Sequence, residues 1–434
     1  MILPPSHPQR LELNDEVHAR PPEALAPPLR LSYLALLTDP ARRDASWEAV
    51  CDLARRSAIP PPLPGASHFS ADFGPFRLKW ERHTEFSRIM AITPGADAAD
   101  PFATPAIAAL PPDWVQALPG ELLVATHLAL LPAGGADPDT LAARLFAGNS
   151  LIGGTMSGGA ARVFTDFRIH GGFSRILVED IRTTPRQAGR LIQRLLEIDT
   201  YRMLALLALP LARDLGAPIT ASERKLAEIT EALVTARSAD EPELLESLTR
   251  LAAETESREA RTLYRFSAAE AYDALVQRRI AELREGRMEG MQTLQEFMER
   301  RLAPAMNTCR AMATRQDALS RRVARATQLL STRVDLTREQ QNQVVLANMD
   351  RRAQLQLRLQ ETVEGLSVAA ITYYIVGLVA YVAKGLKAGG LPLDVDLVTG
   401  IAIPVVAVAV ALAIRQFRHM MTKRTTFLTP PAGR

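Results

Sequence analysis

Two uncharged runs, SVAAITYYIVGLVAYVA over Ser367–Ala383 and LVTGIAIPVVAVAVALAI over Leu397–Ile414, decide how the rest of the chain is read. A transmembrane helix needs roughly 20 apolar residues, within a range of about 17–25, to cross a hydrocarbon layer ~30 Å thick. Both runs sit at the short end of that range, and Lys384 or Arg415 extends them by snorkelling to the interface. The sequence therefore predicts a two-helix transmembrane hairpin, 367–383 and 397–414, with 384–396 as its outer loop. The competing reading is a buried helical hairpin, but two uncharged runs this close together are rare in soluble domains.

Charge sets the orientation. Arg351, Arg352 and Arg358 precede the first run, and Arg415, Arg418, Lys423 and Arg424 follow the second. In the loop, Lys384 and Lys387 are offset by Asp394 and Asp396. The Lys/Arg excess lies on the outer flanks, which predicts that both termini, including a basic tail over 415–434, are cytoplasmic. The expected setting is a membrane with the flanks on its cytoplasmic side, with the lipid bilayer as first partner. Met1-Ile2-Leu3-Pro4-Pro5 has neither a basic n-region nor an apolar h-region, so no signal peptide is expected to contradict this.

Outward from the hairpin, 434 residues leave room for two or three domains. A formal charge of +3 is too small to argue for a nucleic-acid partner. Cys51 and Cys309 are the only cysteines and lie far apart, which suggests a reducing compartment with no disulfide framework and no cysteine zinc site. Leu and Ala dominate and aromatics are few, which favours a mostly helical protein.

Immediately before the first run lies a stalk helix, 304–366, opened by Pro304 at its first turn. Met312, Leu319, Val323 and Leu330 follow 3–4 spacing, and Val344, Leu355, Leu359 and Leu366 resume it. Continued to Ala383, this helix would be on the order of 115 Å long at ~1.5 Å per residue. It cannot bury its stripe alone, so it is expected to pack on earlier helices or to form a homo-oligomer. Within the first span Thr372, Tyr373, Tyr374 and Gly377 are candidate pore or helix-contact positions. Upstream, 183–303 reads as a helical, acid-rich region with a break near Pro210 and Ser222 capping the following helix.

The N-terminal part reads as a proline-rich arm over 1–28 and an α+β domain over 29–182. In the arm, Glu16, His18 and Arg20 fall on one side of an extended segment. Phe76–Ile92 alternates like one strand, with Glu81, His83 and Glu85 on a water-facing side. These groups, with His170, are the candidate ligand-binding residues, since carboxylate and imidazole suit a cation or proton transfer. No HExxH or similar spacing defines a metal site, no catalytic residue is assigned and no cofactor is implied. Gly153–Gly159 lacks phosphate-loop spacing and reads as a mobile turn, and Ala161–His170 with Phe173–Ile181 reads as a hairpin around Gly171-Gly172.

Four strings carry a resemblance: Asn14-Asp15-Glu16-Val17-His18-Ala19-Arg20-Pro21, Lys79-Trp80-Glu81-Arg82-His83-Thr84-Glu85-Phe86, Phe164-Thr165-Asp166-Phe167-Arg168-Ile169-His170 and Ile198-Asp199-Thr200-Tyr201-Arg202-Met203. On these the chain resembles a bacterial family of membrane-anchored proteins of unknown function, over almost its whole length. The order of domain, acidic helices, stalk, span, loop, span and basic tail is also similar to CorA-type magnesium channels. In those channels the first span lines the pore of a pentamer. Their Gly-Met-Asn signature is absent here, where Tyr381-Val382-Ala383-Lys384-Gly385-Leu386 stands instead. The sequence thus predicts a membrane-anchored scaffold or sensor. The alternatives are an oligomeric ion channel or transporter with a cytoplasmic sensing domain, and an enzyme that gathers Glu16, His18, Glu81, His83 and His170 in one pocket.

Overall fold

The computed structural model describes residues 4, 6–11, 13–14, 21–42, 44–97, 99–388 and 394–425, without the side chains of Pro40 and 417–425. Among these residues eight strands form one sheet: β1 (Leu29–Leu37), β2 (His68–Asp72), β3 (Arg77–Arg82), β4 (Phe86–Pro94), β5 (Glu121–Pro132), β6 (Ile152–Met156), β7 (Ala161–His170) and β8 (Phe173–Asp180). Their spatial order is β2-β3-β4-β1-β5-β8-β7-β6. The β5–β8 pair is parallel and the other neighbours are antiparallel. β1 is apolar at nearly every position and buried along its length, as a strand covered on both faces must be.

One face is sealed by apolar side chains. Leu34, Leu78, Trp80 and Ile89 pack with Val50 and Leu53 of α1 (Ala45–Arg56) and Trp114 of α2 (Pro112–Gln116). Further along, Ala129, Phe164 and Leu177 pack with Leu141 and Leu145 of α3 (Pro138–Leu145), which Asp137 caps through Thr140 N at 3.0 Å. The other face is covered by α4 (Pro185–Leu206), which opens with a capping box between Thr184 and Gln187. The arm passes close to this helix: a Cβ on Gly189 would stand 1.7 Å from Glu23 O, so only glycine lets the two backbones meet. After a break at Leu207 come α5 (Ala208–Thr235) and α6 (Glu241–Leu283), and α6 packs on both α4 and α5.

Arg284, left-handed at φ 48°, ends α6, and the Glu285 carboxylate accepts from Leu294 N at 2.7 Å and Gln295 N at 3.1 Å. It thereby satisfies donors at the start of α7 (Leu294–Ala388), and burial raises its pKa. The chain between these helices lies along β6, with Thr155 N donating to Gly286 O at 2.9 Å and Gly153 N to Gln292 O at 2.9 Å. The last element among the described residues is α8 (Val395–Thr425). The chain divides into two compact units, Met1–Leu329 and Leu330–Arg434.

The molecule is mostly helical, with an N-terminal α+β sheet region and long C-terminal helices. Several expectations are corrected. Phe76–Ile92 is two strands joined through His83-Thr84-Glu85, and its polar side is not in water: the arm meets Lys79 through Pro21 O, α6 holds Glu85, and Lys79 and Glu81 are buried. Gly153 and Gly154 belong to β6, and a Cβ on Gly153 would stand 1.9 Å from Val163 O. Ser222 is inside α5, where it accepts from Arg258 at 3.3 Å instead of capping a helix. Pro304 lies inside α7, because a second capping box starts the helix earlier: Glu296 N to Thr293 Oγ1 and Thr293 N to Glu296 Oε2, each 3.1 Å. Lys384 and Lys387 are in the last turns of α7, not in a loop, while Asp394 and Asp396 sit at the start of α8, where Asp394 Oδ1 accepts from Asp396 N at 3.1 Å.

Candidate functional site

Alternation along β3 sends Leu78 and Trp80 to the apolar face and Lys79 and Glu81 to the α4 side. Pairing aligns Glu81 with Arg88 of β4, Tyr33 of β1 with Thr126 of β5, and Thr126 with Ser174 of β8. Polar groups therefore stand in a row across the sheet, and α4 lowers Glu197, Asp199 and Thr200 onto them.

The Arg88 guanidinium forks onto Glu81 and reaches to 3.6 Å from Glu197 Oε1. Lys79 Nζ stands 2.9 Å from Glu81 Oε1 and donates to Pro21 O at 2.6 Å. Arg279 Nε of α6 donates to Glu197 Oε2 at 2.5 Å and also pairs with Glu282 at 3.1 Å, which Arg194 joins at 2.9 Å. Charge thus alternates in sign along Lys79, Glu81, Arg88, Glu197, Arg279, Glu282 and Arg194. Burial alone would raise the Glu81 pKa, but nearby His83 and the charges of Arg88 and Lys79 hold it down to about 2. Burial likewise disfavours the Arg88 charge, and Glu81 beside it more than offsets that, so the guanidinium stays protonated.

A second branch starts at Asp199. Its Oδ2 accepts from Thr126 at 2.8 Å and Ser174 at 3.1 Å, and its Oδ1 pairs with Arg202 at 2.7 Å. Tyr33 and Thr200 hydroxyls meet at 2.8 Å, and burial raises the Tyr33 pKa. Arg202 lies 4.8 Å over the ring of Phe167, which stacks on Phe297 of α7 at 4.9 Å. Phe167 has φ 51°, a conformation that a bulky residue adopts only under constraint, and it sits at the irregularity in the β7–β8 ladder.

Among the described residues, the sequence-nominated groups do not converge. Glu81 is at the centre of the network, and His83 Nε2 lies 3.7 Å from Glu81 Oε2. Glu85 is held apart by Arg265 at 2.7 Å and Tyr272 at 2.8 Å, both on α6. His170 pairs with Asp166 at 2.8 Å, an acid that Asn149 also reaches at 2.9 Å, and contacts Phe146 in the apolar core. Glu16, His18 and Arg20 lie outside the described residues, although Pro21 next to them receives Lys79. Thr372 donates to Val368 O at 2.7 Å within its own helix, Tyr373 and Tyr374 are exposed, and a Cβ on Gly377 would meet nothing within 4 Å.

Lys79, Arg88, Glu197, Asp199 and Arg279 carry the network but were not nominated from sequence. Their signal was a charge inside an aliphatic strand, as in Ser87-Arg88-Ile89-Met90, or on a helix stripe that is otherwise apolar. Chemically the network suits holding position: its charges are paired, and Glu81, Glu197 and Asp199 are buried. Such pairs add little net stability over apolar packing, yet removing one partner costs about 3–5 kcal/mol, so they fix which surfaces meet. Here they join arm, sheet, α4 and α6.

A two-faced α+β sheet, sealed on one side by apolar packing and on the other by buried ions, and followed by long helices, defines the architectural class. Over residues 5–421 the chain matches the family described as Protein of unknown function (DUF3422), and it belongs to that family. No curated protein and no solved structure matches it.

Proposed function

We propose that this protein is a multi-pass component of the bacterial inner membrane, whose α+β domain acts at the cytoplasmic surface as a scaffold or sensor. One observation carries the reading. The apolar stretches of α7 and α8 are long enough to span a bilayer, and only 6 % of each is buried. Apolar helices left open in this way call for lipid around them. Pro185–Thr235 also has the length and composition of a span, but 33 % of its apolar stretch is buried and it brings Glu197 and Asp199 onto the sheet, so it belongs to the folded domain.

The flanking arginines point both ends of the hairpin to the cytoplasm, with Lys384, Lys387, Asp394 and Asp396 at the outer surface. Residues 341–363 of α7 are exposed throughout, including Val344, Leu355 and Leu359. A helix without tertiary partners is marginal in water, which supports a homo-oligomer formed along this segment. The topology is tested by cysteine accessibility in intact cells. Lys387→Cys labels from the periplasmic side and Gln416→Cys does not. Labelling of Lys387→Cys only after the inner membrane is opened, or full recovery of the intact chain in a detergent-free soluble fraction, overturns the reading. A CorA-like channel, with Thr372, Tyr373, Tyr374 and Gly377 along a pore, makes a separate demand: ion flux in liposomes above that of empty vesicles, changed by Glu364→Lys. The scaffold reading expects no such flux.

A further inference from the structure

Away from the charged network, α6 and the first part of α7 enclose a cavity of about 340 Å³. Phe266 and Met306 give it an apolar wall. Glu259, Glu270, Asp273 and Asp317 line it with carboxylates, against one lining cation, Arg310. Glu259, Glu270 and Asp273 fall on one face of α6, since eleven residues are close to three whole turns and three residues close to one. From Glu259 to Asp273 they extend over about 20 Å at 1.5 Å per residue.

Asp273 is the telling group. It is only 8 % exposed, and Arg310 donates to its Oδ2 at 2.9 Å. Its Oδ1 is out of solvent and has no hydrogen-bond partner among the described residues. A desolvated carboxylate oxygen without a donor is costly, and a ligand ammonium that displaces Arg310 and turns the carboxylate towards the cavity would supply one. Among the described residues no three His, Cys, Asp or Glu groups gather closely enough to hold a metal ion. The negative charge is strung along the groove, so a complementary ligand carries its positive charge at separated points on an apolar stem.

We propose that this cavity binds an aliphatic polyamine of the spermidine class, with ammonium groups at Asp273 and Glu270 and methylenes against Phe266 and Met306. The site is independent of the membrane reading, because every lining residue lies in the first compact unit.

The test is equilibrium dialysis of radiolabelled spermidine against the full-length protein in detergent micelles, at constant ionic strength. Saturable binding is expected, and magnesium chloride at matched ionic strength does not compete. Asp273→Asn with Glu270→Gln weakens binding by about tenfold or more, since charge-assisted hydrogen bonds are lost. Glu243→Gln with Glu246→Gln, in the first turns of α6, leaves it unchanged. Arg310→Gln, which frees Asp273 from its competing cation, tightens binding several-fold. Non-saturable uptake, equal displacement by magnesium, or unchanged affinity in the Asp273/Glu270 variant overturns the proposal. Should that variant fail to fold, Arg310→Gln decides: a folded protein with unchanged or weaker affinity overturns it.

Discussion

The two faces of the sheet solve one problem in opposite ways. On the α1–α2 side, Trp80, Leu78 and Ile89 meet aliphatic helix residues, and the seal is the removal of apolar surface from water. On the α4 side, Lys79, Glu81 and Arg88, from the same two strands, meet Glu197 and, through it, Arg279. Apolar contact tolerates many arrangements of similar volume. An alternating chain of buried charges accepts one, because any shift leaves an ion without its partner. The first face supplies stability, and the second specifies which helix, in which register, may cover it.

Substitution separates the two roles. Trp80→Ala leaves a cavity in the apolar face and lowers unfolding stability by about 3–5 kcal/mol, read by chemical denaturation of the full chain. Arg88→Met alone costs a similar amount, about 3–5 kcal/mol, because Glu81 is left buried with its charge poorly compensated. The distinction appears in the rescue: adding Glu81→Gln to Arg88→Met recovers part of the loss, since Lys79 then keeps Pro21 O but loses its counter-ion. If the double variant is no more stable than the single, the charged face contributes stability and not only specificity.

Backbone approach gives a smaller effect. Gly189→Ala pushes a methyl into Glu23 O and displaces the arm, at a cost of about 1–3 kcal/mol. Glutamyl endopeptidase then cleaves after Glu23 faster than in the parent, and an unchanged cleavage rate would show that the arm is not seated by this contact.

Acid discriminates the faces by pH window. His127 stacks on Phe173 on the apolar side, and burial followed by the charge of Arg175 lowers its pKa from 6.5 to about 4. The unfolded chain takes up that proton first, so the contribution is full above pH 6.5 and is lost as pH falls towards 4, amounting to about 3 kcal/mol. Glu81, held at about 2 against 4.5, contributes above pH 4.5 and loses it as pH falls towards 2. On acidification the apolar face therefore weakens first, and His127→Gln flattens the stability profile between pH 6.5 and 4. A parent profile already flat in that window contradicts the assignment. The smallest change is expected from Glu246→Ala: its pairing with Arg250 is exposed, and the melting temperature should not move.

Much of the strand content is legible in local pattern. Leu29–Leu37 has the apolar run of a doubly covered strand, and Gly171-Gly172 punctuates the β7–β8 hairpin. The β3–β4 turn hides because His83-Thr84-Glu85 contains no glycine, proline or asparagine, so two strands read as one alternation. Thr293-Leu294-Gln295-Glu296 spells a capping box, but Pro304 is the louder start signal and draws the helix boundary to itself. Within the site, Glu81 is visible from sequence because it stands in an alternating charged segment. Its burial is not, because the groups that permit it come from Glu197 and Arg279, more than a hundred residues away. His83, Glu85 and His170 looked alike in sequence and part company only when the helices choose their faces.

The stretch laid along β6 limits how copies of this sheet can join. A ribbon built by strand addition needs two free rims on every member. Here Gly286 and Gln292 already occupy one rim, and β2 at the other end is the rim with no strand beyond it among the described residues. Strand addition through these rims can therefore pair two molecules rim to rim but cannot string a third onto them.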